Sequence, residues 1–277
     1  MHAEVSDEIS QEAARAIARS FESAQEWLER TSRPSEPVDP ASELGVDDAA
    51  TGPKCLSHLA VASLNAAVDH FHAARTLFAD VRVFYGNAQF TLLRAALENA
   101  ATAVYMLVPD DRETRILRAL RVAWSDVNDQ HSLIDTMREN AQRRGTRPIA
   151  EPKNSKSAWK GRLQKIARDR GMSDKDVAQV AAGLPYSVIV RDASKEALGQ
   201  DLGELALVCW KINSGSTHGK QWEAITKVDR STLQPTDDPA VSQGRTLPSE
   251  DQLHISVAIA KKMIEAGWTL LDTRRAA

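Results

Sequence analysis

The sequence predicts an all-α fold, a helical bundle around a long antiparallel helical hairpin with an N-terminal helical arm. Three observations carry this reading. Apolar residues recur at three- and four-residue steps over long windows, the period of a helix rather than a strand. Gly (13) and Pro (11) are few and fall mostly between those windows, unlike the turn-dense pattern of a β fold. Hydrophobic residues (42%) and charged residues (26%) are balanced as in globular chains, and 277 residues suffice to bury a core without staples.

Taken in order, 7–31 reads as one amphipathic helix, with Ile9, Ala13, Ile17, Phe21 and Leu28 near one stripe and Ser6 or Asp7 as its cap. Residues 33–53 carry Pro34, Pro37, Pro40 and Pro53 among polar residues and read as an extended linker. The expected organisation is therefore an acidic helical arm and Pro-rich linker over 1–53 and a helical bundle domain over 54–277. Val61, Leu64, Val68, Phe71, Phe78 and Val81 mark a helix over 55–82. After the break at Tyr85-Gly86-Asn87, residues Phe90 to Leu107 mark a second over 87–108. Helices joined by so short a break normally fold back on each other. A third runs from Ile116 through Leu133 and Met137 to about Gln142, and shorter helices are expected at 156–170, 173–182 and 186–198. The helices at 201–218, with Leu202, Leu205, Cys209 and Ile212 inward, and at 250–272, opened by Ser249, complete the core.

Composition narrows the function classes. Cys55 and Cys209 show no C-x-x-C spacing, which argues against a zinc ribbon or a dithiol motif and suits a reducing compartment. The first residues lack the basic-then-apolar pattern of a secretory signal, and no apolar run reaches the ~18 residues of a membrane span. A cytoplasmic protein without a membrane partner is expected. The net charge of −3 hides an asymmetry: 1–50 holds 12 acidic and 4 basic residues, and 141–170 holds 10 basic and 2 acidic. Such separation reports a partner, an anionic ligand or an internal contact. In the basic segment, Arg143, Arg144, Arg147, Lys156, Lys160 and Arg162 surround Trp159, a pattern suited to a nucleic-acid backbone and an unstacked base. Trp159 also precedes Leu163 by four and fits equally as a packing residue.

Two helices carry the candidate chemistry. Arg94 and Glu98 lie four apart beside the apolar stripe Leu93/Leu97/Ala100, where charges must be paired. In Lys211-Ile212-Asn213-Ser214-Gly215-Ser216-Thr217-His218-Gly219, Ser214 and His218 share a face and Gly219 is placed to end the helix. A core helix with Arg-x-x-Leu-Glu, followed much later by a Ser-x-x-x-His-Gly helix end, resembles the HEPN-like superfamily over roughly residues 55–220. Members are helical bundles in RNA-cutting toxins, phage-defence proteins and RNA-processing enzymes. The resemblance implies RNA as partner, a homodimer, and an Arg-His pair acting on the 2′-hydroxyl and scissile phosphate without a metal or other cofactor. His218 would then be the general acid or base, Arg94 or Lys211 the charge stabiliser, Glu98 the residue that orients one of them, and Ser214 a contact to His218 or substrate. The family's Arg stands four to six residues before the His; here those positions are Asn213, Ile212 and Lys211.

Alternatives remain open on the same residues. Arg94/Glu98 also fits an internal salt bridge, and His218 a satisfied helix-end residue, in a non-catalytic module that binds a protein partner. Asp69-x-x-His72 and Asp251-x-x-His254 loosely resemble the Glu-x-x-His pairs of ferritin-like metal centres, and Asp126, Asp129, His131 and Asp135 form another polar group. Phosphate-loop, dinucleotide-binding and serine-elbow motifs are missing. Trp210, Trp222 and Trp268 read as packing residues.

Overall fold

A computed structural model describes residues 3–4, 11–147, 149–150, 152–247 and 249–276. Its architecture is all-α. The helices are α1 (Gln11–Ser20), α2 (Ala24–Thr31), α3 (Glu43–Thr51), α4 (Leu56–Arg75), α5 (Ala88–Leu107), α6 (Arg112–Arg144), α7 (Lys156–Asp169), α8 (Asp174–Val180), α9 (Tyr186–Leu198), α10 (Gln200–Thr217), α11 (Gln221–Thr226) and α12 (Glu250–Arg275). Two antiparallel pairs of two-residue strands accompany them: β1 (Ala3–Glu4) with β2 (Val83–Phe84), and β3 (Gln234–Pro235) with β4 (Ser242–Gln243). Among the described residues no helix is long and apolar enough to cross a membrane.

The chain divides into two compact units. One gathers Met1–Glu36, Val61–Val104 and Tyr186–Leu270; the other gathers Pro37–Ala60, Tyr105–Pro185 and Leu271–Ala277. In the first unit, the helix expected over 7–31 is two helices, and Ile9, Ser6 and Asp7 lie outside the described residues. The break at 21–23 turns Phe21 inward, with its ring 5.0 Å from Phe71 and 6.2 Å from Phe78. α4 runs on into a π-helical turn at Thr76–Asp80, which leaves Val81 exposed rather than in the core. Helices α4, α5 and α12 approach closely at Gly267, where a Cβ would lie 2.6 Å from Leu64 and 3.6 Å from Val104. α9 and α10 pack closely as well: Gly203 lies against the Lys195 backbone, leaving no room for a side chain. Leu205 stays 38% exposed although the helical period places it inward.

In the second unit, the segment read as a linker contains α3. Ser42 caps it, its hydroxyl accepting from the Gly45 N–H at 3.1 Å, and Leu44 is fully buried. Asp47, also fully buried, meets Arg115 of α6, whose Nε donates to Oδ2 at 2.7 Å. A nine-residue helix is marginal in isolation; the contacts of Leu44 and Asp47 supply what the local pattern lacks. Ile116, Leu120 and Ala123 of α6 pack with Leu163 and Ala167 of α7 and with Val177 and Val180 of α8. Beyond Val127 the apolar stripe fails, for Leu133 and Met137 are exposed. Gly145, in the left-handed conformation, ends α6.

Candidate functional site

The first unit brings α5 to the C-terminal end of α10. The turn before α5 is fixed by Gln89, a fully buried side chain. Its Oε1 accepts from the Tyr85 N–H at 2.9 Å and its Nε2 donates to the Val83 carbonyl at 2.7 Å. The α10 end is fixed by Gly219, whose positive φ of 57° lets the Lys220 N–H reach back to the Gly215 carbonyl at 2.9 Å. A buried ion pair joins the two ends. Lys227 Nζ sits 2.5 Å from Glu223 Oε1 and donates to Ser216 Oγ at 3.0 Å and to the Gly86 carbonyl at 2.8 Å. Burial lowers the Lys227 pKa from its ordinary value, and Glu223 opposes that shift. None of Gln89, Glu223 and Lys227 stands out in the sequence: the first two bond near neighbours in the chain, and Lys227 reaches Gly86 across 141 residues.

This scaffold places Arg94 between Glu98 and His218. Arg94 Nη2 lies 2.8 Å from Glu98 Oε1, and Arg94 Nη1 lies 3.5 Å from His218 Nε2. The contact is long, and the guanidinium has only N–H groups to offer the ring nitrogen. Trp210 joins the group: its indole N–H donates to Glu98 Oε1 at 2.7 Å, and the Arg94 guanidinium stands 5.7 Å from its ring. Glu98 thus holds a cation and an indole with one oxygen. Arg94 and Glu98 are largely buried, His218 is exposed, and Arg94 Nε has no hydrogen-bond partner among the described residues. The constellation is a cation and an imidazole at one surface, oriented by a buried carboxylate.

The other expected members differ in place. The Ser214 carbonyl accepts from the His218 N–H at 3.1 Å, while its hydroxyl makes no contact with the His218 ring among the described residues. Lys211 is exposed and enters no ion pair among them. Trp210, read from the sequence as packing, is part of the site, and the exposed Trp222 is not a core residue; Trp268 is buried as expected.

The basic segment belongs to the second unit. Arg143 pairs loosely with Glu139 at 3.7 Å, and Arg144, Arg147, Lys156, Lys160 and Arg162 are exposed. Trp159 is half-buried, with Lys54 Nζ and the Arg162 guanidinium 5.7 and 5.4 Å from its ring. Lys156 Nζ stands 5.9 Å from the ring of Trp124. Three cations, Lys54, Lys156 and Arg162, thus stand near the rings of two tryptophans. Among the described residues no three of His, Cys, Asp and Glu come together as metal ligands would.

Behind the α10 end, Asn213 Nδ2 donates to Ser256 Oγ at 3.0 Å, and Cys209 Sγ lies 3.3 Å from the same hydroxyl. Burial pushes the Cys209 thiol up from 9.0 to about 11. A thiol whose folded pKa is raised stabilises the fold fully below the unfolded value, and that stability is lost as pH rises toward the folded one. Urea unfolding is therefore expected to show wild type losing about 2 kcal/mol more than Cys209→Ala between pH 9 and 11. Parallel pH profiles for the two proteins would contradict a buried, neutral thiol.

Compared with known proteins, the chain matches no family model, no curated protein and no solved structure, so any functional reading stands on the geometry of Arg94, Glu98, Trp210 and His218.

Proposed function

We propose that the chain is an HEPN-like RNA-binding protein that cleaves RNA without a metal at Arg94 and His218. The observation that carries the proposal is the approach of Arg94 Nη1 to His218 Nε2 across 124 residues of chain. The arginine that the family motif places just before the histidine is absent, and α5 supplies one in space. In this reading, the exposed His218 ring, as the neutral base, accepts the proton of a ribose 2′-hydroxyl. The 2′-oxygen attacks the adjacent phosphorus, the bond to the leaving 5′-oxygen breaks, and that oxygen takes up a proton from water. The Arg94 guanidinium offsets the charge that builds on the phosphoryl oxygens. The products are a 2′,3′-cyclic phosphate and a 5′-hydroxyl. The cation–tryptophan face of the second unit supports RNA as the polyanion bound.

A second reading, a non-catalytic interaction module, is favoured by one observation: Glu98 pairs internally with both Arg94 and Trp210, as a purely structural triad would. Cleavage of labelled single-stranded RNAs and tRNAs, with chelator present, separates the two. Wild type is expected to cut, and His218→Ala to cut roughly 10²–10⁴-fold more slowly with RNA affinity retained. Equal cutting by both, or none by either, favours the module.

A further inference from the structure

Several of the exposed apolar side chains of the first unit gather in one place. Leu205, Val208 and Ile212 of α10, Trp222 of α11 and Ile255 of α12 line one cavity of about 430 Å³. Val208 and Trp222 remain about half exposed, at 51% and 53%. The cavity falls in the size range of small-molecule sites, which are mostly apolar with a few placed polar groups. Its depth is set by Gly215: a Cβ there would lie 2.7 Å from the Trp222 ring and 2.8 Å from Glu223 Cβ, so only glycine lets α11 seat its tryptophan at the wall.

The polar groups of the cavity select the ligand. Cys209 and Ser256 are tied to each other, and Ser256 to Asn213. Gln252 donates one amide hydrogen to Asn213 Oδ1 at 3.3 Å, leaving its carbonyl and its second N–H without a protein partner among the described residues. Ser249, at the rim, accepts from the Gln252 backbone N–H at 3.2 Å, and its own hydroxyl hydrogen is unassigned in the same way. The one charged lining residue, Lys227, has its ammonium engaged by Glu223, Ser216 and Gly86. No cation is left for an anionic ligand, and the Cys209 thiol stays neutral.

We propose that this cavity binds an uncharged, largely apolar small molecule carrying one amide or similar donor–acceptor group, received by Gln252 and Ser249. The test titrates the full-length protein with N-phenyl-1-naphthylamine, a neutral fluorescent probe, and displaces it with dodecanamide or dodecanoate. Expected are one probe per chain, displacement by dodecanamide, and at least roughly tenfold weaker displacement by the charged acid, since no partner compensates its burial. Val208→Glu, an exposed change in the lining, should weaken the probe roughly tenfold, whereas Ile225→Glu, exposed but outside the lining, should not. Gln252→Leu should keep the probe and lose the preference for the amide. No saturable binding, equal loss in both Glu variants, or dodecanoate competing as well as dodecanamide would each overturn the proposal. So would a dimer that excludes the probe and dissociates on Val208→Glu, which would make a second copy the occupant. None of these readouts involves Arg94 or His218, so failure here leaves the RNA proposal standing.

Discussion

Asp47→Ala is expected to destabilise the protein by about 3–5 kcal/mol, the usual cost of stranding a buried charge. Arg115 is 1% exposed, and its guanidinium meets Asp47 through Nε at 2.7 Å and Nη2 at 3.4 Å. The Pro109 and Asp110 carbonyls take its Nη1 at 3.0 and 2.8 Å but neutralise no charge, and the half-exposed Glu43 carboxylate stands only at 3.9 Å from it. Since native proteins hold only about 5–15 kcal/mol in total, the loss is a large share, visible as a melting temperature lowered by about 10 °C. Replacing both partners, Asp47→Leu with Arg115→Met, should recover much of it, because an apolar pair carries no desolvation penalty. A change within about 0.5 kcal/mol for Asp47→Ala, the range of ordinary surface substitutions, would mean that α3 is not docked on α6.

Arg94→Ala is expected to lower the rate of RNA cleavage roughly 10²–10³-fold, the usual effect of removing one donor to developing charge. RNA affinity should change little, because a polyanion is held through many phosphate contacts. Arg94→Lys should restore only part of the rate: lysine keeps the charge but cannot reach Glu98 and His218 with two edges of one plane. Glu98→Gln should fall between, since its amide still accepts from Trp210 while the ion pair is lost. Single-turnover kinetics with RNA in excess of its dissociation constant separates these effects on chemistry from effects on binding. Wild-type rates in Arg94→Ala would remove the arginine from the mechanism.

The helical class was legible because the period of three to four persists over long stretches such as Leu93–Leu97–Ala100–Val104. The helix end at His218-Gly219 was legible for a local reason too, since a glycine after a periodic run is a stop signal. Arg94 and Glu98 stood out as charges beside an apolar stripe, which forces a partner upon them. That the partner includes His218, 124 residues away, lies beyond any local pattern. Trp210 fits a packing residue in the sequence because an indole gives the same helical signal whether its N–H is idle or bound. α3 was hidden by prolines and acidic residues; Asp47 looks like a solvated linker charge until Arg115 is placed beside it. Trp222 likewise fits a packing residue, and only the arrangement of α10, α11 and α12 leaves it lining a cavity with Val208 and Ile255.

The most direct test of the RNA proposal is the chemistry of the cut ends. Wild-type protein is incubated with a short labelled RNA in chelator, and the 3′ end of the upstream product is identified by mass spectrometry. A 2′,3′-cyclic phosphate, absent when the scissile nucleotide is 2′-deoxy and absent with His218→Ala, is the expected result. A 3′-hydroxyl product, continued cutting of the 2′-deoxy substrate, or no cutting of any RNA would contradict it.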